Sequence, residues 1–324
     1  MESPFTGFEV DDMSADPSDR SQDKDFNETL RLLLERSSCR DFLDKRIPAD
    51  ILQVVLEAGV HAATAGNLQP YSIIRIDKAE TKQKLAKMCE QNFIGKAPVL
   101  LMFCLDLHRN ERWASLEVAP YTATSSFRHF WVSFQDTIIC AQNVCTAADS
   151  VGLGSVYIGT VIDMPAKIQT MLKLPKGVFP VVLVCLGYPK KKPPPRSKLG
   201  VDAVVHQEHY HEMKDKELLE AFNKKYAGQK LPVTEKRLET IYKICRTIHG
   251  KEFADRCASR IRANGHINMA QYYFGLHYRA DLMPKGNGEY LKIMEESGFN
   301  SFKKYRPSAR VAKKCSPCNP CIEK

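Results

Sequence analysis

The two stretches that decide the fold are Pro98–Asp106, which reads PVLLMFCLD, and Val178–Leu186, which reads VFPVVLVCL. Each has the length of a β-strand, and neither alternates between apolar and polar residues. A strand with one face in water does alternate, so an uninterrupted run predicts a strand that is covered on both faces. We therefore expect these two strands in the middle of an α/β sandwich.

The segments around the two runs supply further elements. Tyr71–Asp77 is rich in β-branched residues and predicts a strand, and the charged segment Lys78–Gln91 predicts a helix. Between the runs, apolar residues recur at helical spacing at Phe134, Ile138, Ala141, Cys145 and Ala148, with Ile139, Val144 and Val151 widening the stripe. This pattern predicts a helix that is buried almost all round and ends at Gly152.

Changes in composition divide the chain into four parts. Residues 1–25 are rich in Asp, Ser and Pro and predict a mobile arm; residues 26–215 form the core, beginning with a helix over Phe26–Arg36. Residues 216–310 predict a helical C-terminal extension, in which Thr234 caps one helix and Glu289–Ser297 forms the last. Residues 311–324 form a Cys-rich tail.

Overall composition narrows the class of protein. The 324 residues carry a net charge of +9 and 11 cysteines, and no apolar run approaches the roughly 20 residues that span a bilayer. The odd cysteine count and the polar start, which lacks a secretory signal, predict a cytoplasmic protein with no membrane partner. The basic residues are dispersed, and no recognition helix or stacking motif accompanies them, so no nucleic-acid partner is expected.

The stretch Arg36-Ser37-Ser38-Cys39-Arg40-Asp41-Phe42 is the first candidate site. It places two guanidinium groups four residues apart with two hydroxyls between them. Guanidinium forks and hydroxyls are the donors that a phosphate monoester needs, because each phosphate oxygen accepts several charge-assisted hydrogen bonds. The alternative is that Arg36 and Arg40 are solvated charges at the end of a helix.

Three further segments suit a planar ligand that carries a phosphate. Ala62–Pro70 offers small residues and two amides, and Gly152–Gly159 is a glycine-bearing turn into a short strand that exposes backbone N–H groups. The proline-rich loop after the second apolar run presents Arg196 and Lys198 as two more cations. Taken alone, Ala62–Pro70 also fits a polar loop before a strand, and the loop with Arg196 and Lys198 also fits a solvated basic loop.

Two clusters raise the question of a metal. His206, His209 and His211 lie close together in a polar segment without an HExxH pattern, which favours a surface loop. Cys315, Cys318 and Cys321 have the CxxCxxC spacing that suits soft metals or part of an iron-sulfur cluster, but three thiolates leave a tetrahedral site one ligand short. A flexible reducible tail is the default interpretation.

Taken together and in this order, the motifs resemble the FMN-dependent nitroreductase family. The resemblance is carried by RSSCRDF, the AGNLQP loop, the block AQNVCTAADSVGLGSVYIG, LKLPKGVFPVVLVCLGYP and the RSKLG loop, over roughly residues 27–215. The central block and the loop through Arg196 and Lys198 are most similar to the NADPH-using branch of oxygen-insensitive nitroreductases and flavin reductases. Asn67 and Gln69-Pro70 are more similar to the wider family, so the sequence leaves NADPH or NADH open as the electron donor.

The resemblance implies an α+β fold, a three-layer α-β-α sandwich that forms an intertwined homodimer with FMN at the subunit interface. It implies phosphate contacts from Arg36, Ser37, Ser38, Arg40, Arg196 and Lys198. It implies contacts to the ribityl chain and ring from Thr64, Asn67, Gln69 and Gln91, and backbone contacts near the flavin N5 from Tyr157, Ile158, Gly159 and Thr160. No catalytic side chain is expected, because the chemistry belongs to the cofactor.

These expectations define two hypotheses for function. The first is an FMN-dependent NAD(P)H oxidoreductase that reduces nitroaromatics, quinones or free flavin, a small-molecule electron acceptor, by ping-pong hydride transfer. The second is a flavin-binding redox sensor or electron-transfer partner that uses the C-terminal cysteine tail.

Overall fold

The computed structural model describes residues 27–304. Its strands are β1 Tyr71–Ile76, β2 Val99–Asp106, β3 Gly154–Ile158, β4 Val178–Gly187, β5 Leu231–Pro232 and β6 His266–Ile267. Its helices are α1 Glu28–Glu35, α2 Ala49–Val60, α3 Ala79–Met88, α4 His108–Leu116, α5 Phe127–Ser150, α6 Pro165–Leu172, α7 Val201–Val204, α8 Asp215–Lys225, α9 Glu235–His249, α10 Lys251–Asn264, α11 Met269–Tyr272 and α12 Asn287–Glu296. A single π-helical turn, Tyr273–His277, continues α11.

The main sheet has four antiparallel strands in the order β1-β2-β4-β3. The two apolar runs of the sequence form the central pair, from Val99 opposite Leu186 to Asp106 opposite Val178, with a β-bulge between Phe103 and Cys104. Every residue of β2 and β4 is buried. The prediction that both strands are covered on two faces is therefore confirmed.

Alternate side chains of β2 enter two separate cores. Leu101, Phe103 and Leu105 pack with α2 and α5 on one face of the sheet. Leu100, Met102 and Cys104 pack with α3 and α6 on the other face. Because successive side chains of a strand point to opposite faces, one uninterrupted apolar strand supplies both cores. The result is the three-layer α-β-α sandwich that was predicted.

Helix α5 differs from its prediction on one side. It ends at the predicted place, and Gly152 has the left-handed φ of +79° that suits a residue after a helix. However, the helix is not buried all round: Trp131 is 53% exposed and Ile139 is 44% exposed. Trp131 lies between Phe127 and Phe134, with ring centroids 6.1 and 6.3 Å away. The apolar stripe is wider than the face that the sheet can cover within one chain.

The segment after residue 215 has a small core of its own. Leu238, Ile241, Ala258 and Ile261 pack together where α9 and α10 meet. As predicted, Thr234 caps α9, accepting a hydrogen bond from the Arg237 N–H at 3.3 Å. Helix α10 and the short β5-β6 pair were not predicted. The division of the chain at residue 215 stays a prediction.

Helix α12 returns to the main core. The ring of Phe179 on β4 lies 6.0 Å from that of Tyr290 and 5.9 Å from that of Phe299, centroid to centroid. Phe299 is fully buried, and the left-handed Gly298 turns the chain after the helix. The last described helix of the chain thus packs against the core of the sandwich.

Within residues 27–304, none of the helices is both long enough and apolar enough to span a lipid bilayer.

Candidate functional site

The stretch from Arg36 to Phe42 lies along the outer edge of β3. The Cys39 N–H donates a hydrogen bond to the Ser155 carbonyl at 2.9 Å, and Ser38 forms a bridge with Ser155. Gly154 permits this contact, because a Cβ at that position would lie 2.6 Å from Cys39 Cβ. The arginine-serine stretch and the glycine-bearing turn, more than 100 residues apart in the chain, are therefore in contact.

The side chain of Arg36 points inward from this edge. Its Nη2 donates to Ser155 Oγ at 3.3 Å, and its Nε lies 3.6 Å from Asp149 Oδ2, near the end of α5. The guanidinium also lies 5.7 Å from the ring centroid of Tyr157. Arg36 Nε and Asp149 Oδ2 are buried, and neither has a hydrogen-bond partner among the described residues. The pair is therefore an ion pair with unused hydrogen-bonding capacity.

Burial controls the ionisation of Asp149. Removal from water raises the pKa of Asp149 to about 6, although the positive charges of Arg36 and Lys192 act to lower it. Asp149 was not among the residues singled out from the sequence. The signal that could have found it is a carboxyl group in the last turn of the predicted helix, directly before the glycine-bearing turn.

The basic loop after β4 runs beside the same stretch. The Ser37 hydroxyl donates to the Pro193 carbonyl at 2.6 Å, and Lys190 Nζ lies 3.0 Å from Asp41 Oδ1. Lys192 Nζ lies 3.4 Å from Glu35 Oε2. A small cavity of about 110 Å³ remains between the loop and the β3 edge, lined by Ser37, Cys39, Asp149, Gly152, Leu153, Gly154, Pro189, Lys192 and Pro193.

The three remaining candidate cations are exposed. Arg40 makes no ion pair within residues 27–304, which leaves its guanidinium available to a ligand. Arg196 lies near Tyr273 of the π-helical turn, where burial raises the pKa of Tyr273 and the charge of Arg196 acts to lower it. Lys198 is exposed in the same loop. That Arg196 and Lys198 meet Arg40 around one ligand stays a prediction.

The segment Thr64–Gln69 is a tight turn held by α5. Asn67 and Gln69 both have left-handed φ angles, of 54° and 46°. The Gln69 N–H donates to Thr64 Oγ1 at 3.2 Å, and the Ala65 N–H donates to Asp136 Oδ2 at 3.2 Å. Burial raises the pKa of Asp136, and the Ala65 N–H acts to lower it. Asp136, like Asp149, was missed in the sequence.

A third group lies at the end of β3. Gln91 Nε2 donates to Thr160 Oγ1 at 2.9 Å, which joins two predicted ring contacts that are 69 residues apart. The Tyr157 hydroxyl donates to Gln142 Oε1 at 3.3 Å, and Ile158 is buried. Gly159 is exposed, and apart from Gly159 and its two chain neighbours no described residue has an atom within 4 Å of where its Cβ would be. The backbone at Gly159 is therefore open to a ligand.

No direct hydrogen bond joins these three groups to one another among the described residues, although β3 and α5 connect them through the fold. The described residues contain no group of three or more His, Cys, Asp or Glu side chains placed to hold a metal. Cys315, Cys318 and Cys321 lie outside the described residues.

The resemblance to the nitroreductase family implied an α+β sandwich, and the structure has this architecture. The sequence model of the Nitroreductase family matches residues 33–188. NADPH-flavin oxidoreductase of Vibrio harveyi is 31% identical over 58% of this chain and 76% of that protein. Oxygen-insensitive NADPH nitroreductase of Salmonella typhimurium is 30% identical over 61% of this chain and 81% of that protein.

A solved structure is similar over more of the chain. NfrA2 of B. megaterium superposes with a TM-score of 0.64 and 25% identity, covering 86% of this chain and 100% of that one. The chain belongs to the nitroreductase family. The family resemblance and the fold that were predicted from the motifs are confirmed.

The Arg36–Asp149 pair generates a prediction about stability and pH. Because the pKa of Asp149 is raised on folding to about 6, this carboxyl stabilises the folded chain below about pH 4, and that contribution is lost as pH rises through 6. The free energy of unfolding of the wild type, minus that of Asp149→Asn, should fall by up to about 3 kcal/mol between pH 4 and pH 7. Urea unfolding of both proteins at each pH measures this difference.

Asp44→Asn is the matched control, because Asp44 is exposed and makes no ion pair within residues 27–304. The corresponding difference for Asp44→Asn should not fall over this range. A difference for Asp149→Asn that is flat, or that rises with pH, would contradict the prediction.

Proposed function

We propose that this protein is an FMN-dependent NAD(P)H oxidoreductase that reduces nitroaromatics, quinones or free flavin. Membership of the nitroreductase family supports the reaction class, and both relatives named above are NADPH-dependent reductases by name. The observation that carries the proposal is the contact between the Arg36–Arg40 stretch, the edge of β3 and the basic loop after β4. NADPH or NADH is the electron donor.

The donors at this edge fit a phosphate group. Ser38 and Arg40 come from one stretch, and the partly buried Arg36 adds a positive charge directly behind it. Ser37 belongs to the same stretch, and its hydroxyl would have to turn away from the Pro193 carbonyl to donate to a phosphate. Hydroxyl and guanidinium groups give a phosphate short, charge-assisted hydrogen bonds. Arg196 and Lys198 complete the proposed phosphate site from the loop after β4. We propose that Arg36 acts mainly through its charge, because its side chain is directed at Asp149 and Ser155.

The residues at the end of β3 fit a planar ring. The open backbone at Gly159, next to Tyr157, Ile158 and Thr160, allows a flat group to approach. Gln91 is held by Thr160, and the turn containing Thr64, Asn67 and Gln69 supplies amides and a hydroxyl from the side of α5. A flavin held by these residues would supply the redox chemistry, namely hydride transfer from the nicotinamide and delivery of two electrons to the acceptor. The chain's own residues bind and orient the cofactor, and none is proposed as a general base.

The cavity beside Ser37 measures only about 110 Å³ in one chain, which is too small to hold a whole flavin. The outward face of α5 carries exposed apolar residues, among them Trp131 and Ile139. An exposed apolar face of this kind marks a surface for another protein. We therefore propose a homodimer in which a second copy covers α5 and completes the flavin site.

The cytoplasm is the proposed compartment. All eight cysteines in the described part of the chain are free thiols, as expected in a reducing environment.

The first prediction for this function concerns Arg40. Replacing Arg40 with Ala removes one charged hydrogen-bond donor to the phosphate, which should weaken FMN binding by about 1.5 to 3 kcal/mol. Fluorescence titration of the apoprotein with FMN measures the loss. Arg46→Ala is the control, because Arg46 is also exposed but lies outside the Arg36–Phe42 stretch. Equal FMN affinity in the Arg40 and Arg46 variants would contradict the phosphate assignment.

The second prediction concerns turnover. With a nitroaromatic acceptor in excess, the protein should oxidise NADPH or NADH continuously, because each reduction of the acceptor restores the oxidised flavin. Absorbance at the nicotinamide band measures the rate. A flavin-binding sensor, the competing hypothesis, should be reduced once and then stop. A single stoichiometric reduction with every nitroaromatic, quinone and flavin acceptor would therefore favour the sensor.

The third prediction concerns the dimer. Ile139→Lys places a charge on the outward face of α5, so the variant should dissociate to monomers and lose flavin. Sedimentation velocity measures the assembly, and the visible spectrum measures flavin content. Leu116→Lys is the control, because Leu116 is 77% exposed but lies at the end of α4. An Ile139→Lys protein that stays dimeric and keeps its flavin would contradict this interface.

A further inference from the structure

A large cavity of the C-terminal segment lies between α9, α10 and the π-helical turn. It has a volume of about 630 Å³, within the range of pockets that hold small organic ligands. It is formed by residues 241–280, outside the region 33–188 that the family model matches. The proposed flavin site uses none of its residues.

Most of the cavity wall is apolar. Helix α9 contributes Ile241, Ile244 and Ile248, and two aromatic rings, those of Phe253 and Phe274, are 39% and 56% exposed. The remaining lining residues are Cys245, His249, Arg256, Cys257, Arg260, Asn268, Ala270, Gln271, Gly275 and Ala280. Such a wall favours a ligand with a substantial apolar body.

Two cysteines also line the cavity. They lie on neighbouring helices, Cys245 on α9 and Cys257 on α10. Burial, together with the neighbouring Cys257, raises the pKa of Cys245 to about 11, so this thiol is neutral at pH 7. A neutral thiol in a cavity behaves as a small apolar group.

Two other polar side chains of the wall are already paired with each other's backbone. The Gln271 N–H donates to Asn268 Oδ1 at 2.9 Å, and the Asn268 N–H donates to Gln271 Oε1 at 3.0 Å. These bonds cap α11 and engage both side-chain oxygens. The amide NH2 groups of both side chains and the ring of His249, which lies 4.5 Å from that of Phe253, remain as polar groups of the wall. Arg256 and Arg260 are the lining side chains that carry a fixed positive charge.

Arg256 and Arg260 are four residues apart on α10, so they lie on the same face of that helix. Arg256 lies over the ring of Phe253, with its guanidinium carbon 5.6 Å from the centroid. Neither arginine makes an ion pair with any residue in 27–304, and no acidic residue lines the cavity. The cavity thus joins an apolar wall to two positive charges that the described chain does not neutralise.

We propose that this cavity binds an organic anion, whose alkyl or aryl body packs against the isoleucines and phenylalanines and whose carboxylate or sulfonate pairs with Arg256 and Arg260. Charge complementarity favours this occupant over an apolar segment of a second copy, which would leave both guanidinium groups without a counter-charge. The proposal is independent of the flavin chemistry of the core.

Two probes test the proposal and distinguish a ligand with an alkyl body from a ligand with an aryl body. Dodecanoate carries an alkyl body, and 8-anilinonaphthalene-1-sulfonate carries an aryl body. Calorimetric titration of the full-length protein, as purified, should show saturable binding of at least one probe at one site per chain. Preference for dodecanoate indicates an alkyl ligand, and preference for the sulfonate indicates an aryl ligand; either result supports the site.

The arginines supply the discriminating variants. Arg256→Gln and Arg260→Gln should each weaken binding about 10-fold, because each removes a charged hydrogen-bond donor to the anion. Arg262→Gln is the matched control, because Arg262 is an exposed arginine of the same helix that does not line the cavity. It should leave the affinity unchanged within about twofold.

Cys245 and Cys257 provide a second measurement that does not rely on affinity. Alkylation by iodoacetamide, followed by peptide mass spectrometry, should slow several-fold at both residues when the probe is bound, because both line the cavity. The proposal would be overturned if neither probe bound saturably, or if the affinity were unchanged in both the Arg256 and Arg260 variants. It would also be overturned if, without any probe, alkylation of the two cysteines slowed as the protein concentration was raised. The last would show that a second copy covers the cavity.

Discussion

The whole arrangement depends on the burial of β2 and β4 on both faces. Because alternate residues of β2 enter opposite cores, neither face of the sheet can be left in water, and helices must cover both. The layer of α2 and α5 and the layer of α3 and α6 follow from that requirement. β1 and β3 then become the outer strands, and the backbone groups on the outer side of β3 need other partners.

The polar site is the consequence of that open edge. The Ser38–Cys39 segment takes the place of a further strand beside Ser155, and the loop after β4 follows it through the Phe42–Pro189 bridge. Segments that are far apart in the chain are thus fixed beside one another by backbone hydrogen bonds. The side chains proposed to bind phosphate need no contacts with one another to be held together.

Much of this could be predicted from the sequence, because apolar pattern controls it. The sequence alone predicted the two buried strands β2 and β4 from their uninterrupted apolar runs. It also predicted the position of Gly152 at the end of α5. What could not be predicted rests on contacts between distant residues. Asp149 looks like an ordinary helix residue until the fold brings Arg36 within 3.6 Å of it. The apolar stripe of α5 likewise does not reveal which side the sheet leaves exposed.

The Arg36–Asp149 pair also separates the two arginines that the sequence treats as equivalent. A buried carboxyl with a raised pKa is costly to ionise, and Arg36 is the nearest charge that offsets this cost. Moving Arg36 outward to a ligand would leave Asp149 buried without its partner, whereas Arg40 can move without breaking any ion pair within residues 27–304. The two arginines are therefore suited to different tasks. Arg36 holds the stretch against β3 through Asp149 and Ser155, and Arg40 is the residue that we propose to contact a phosphate directly.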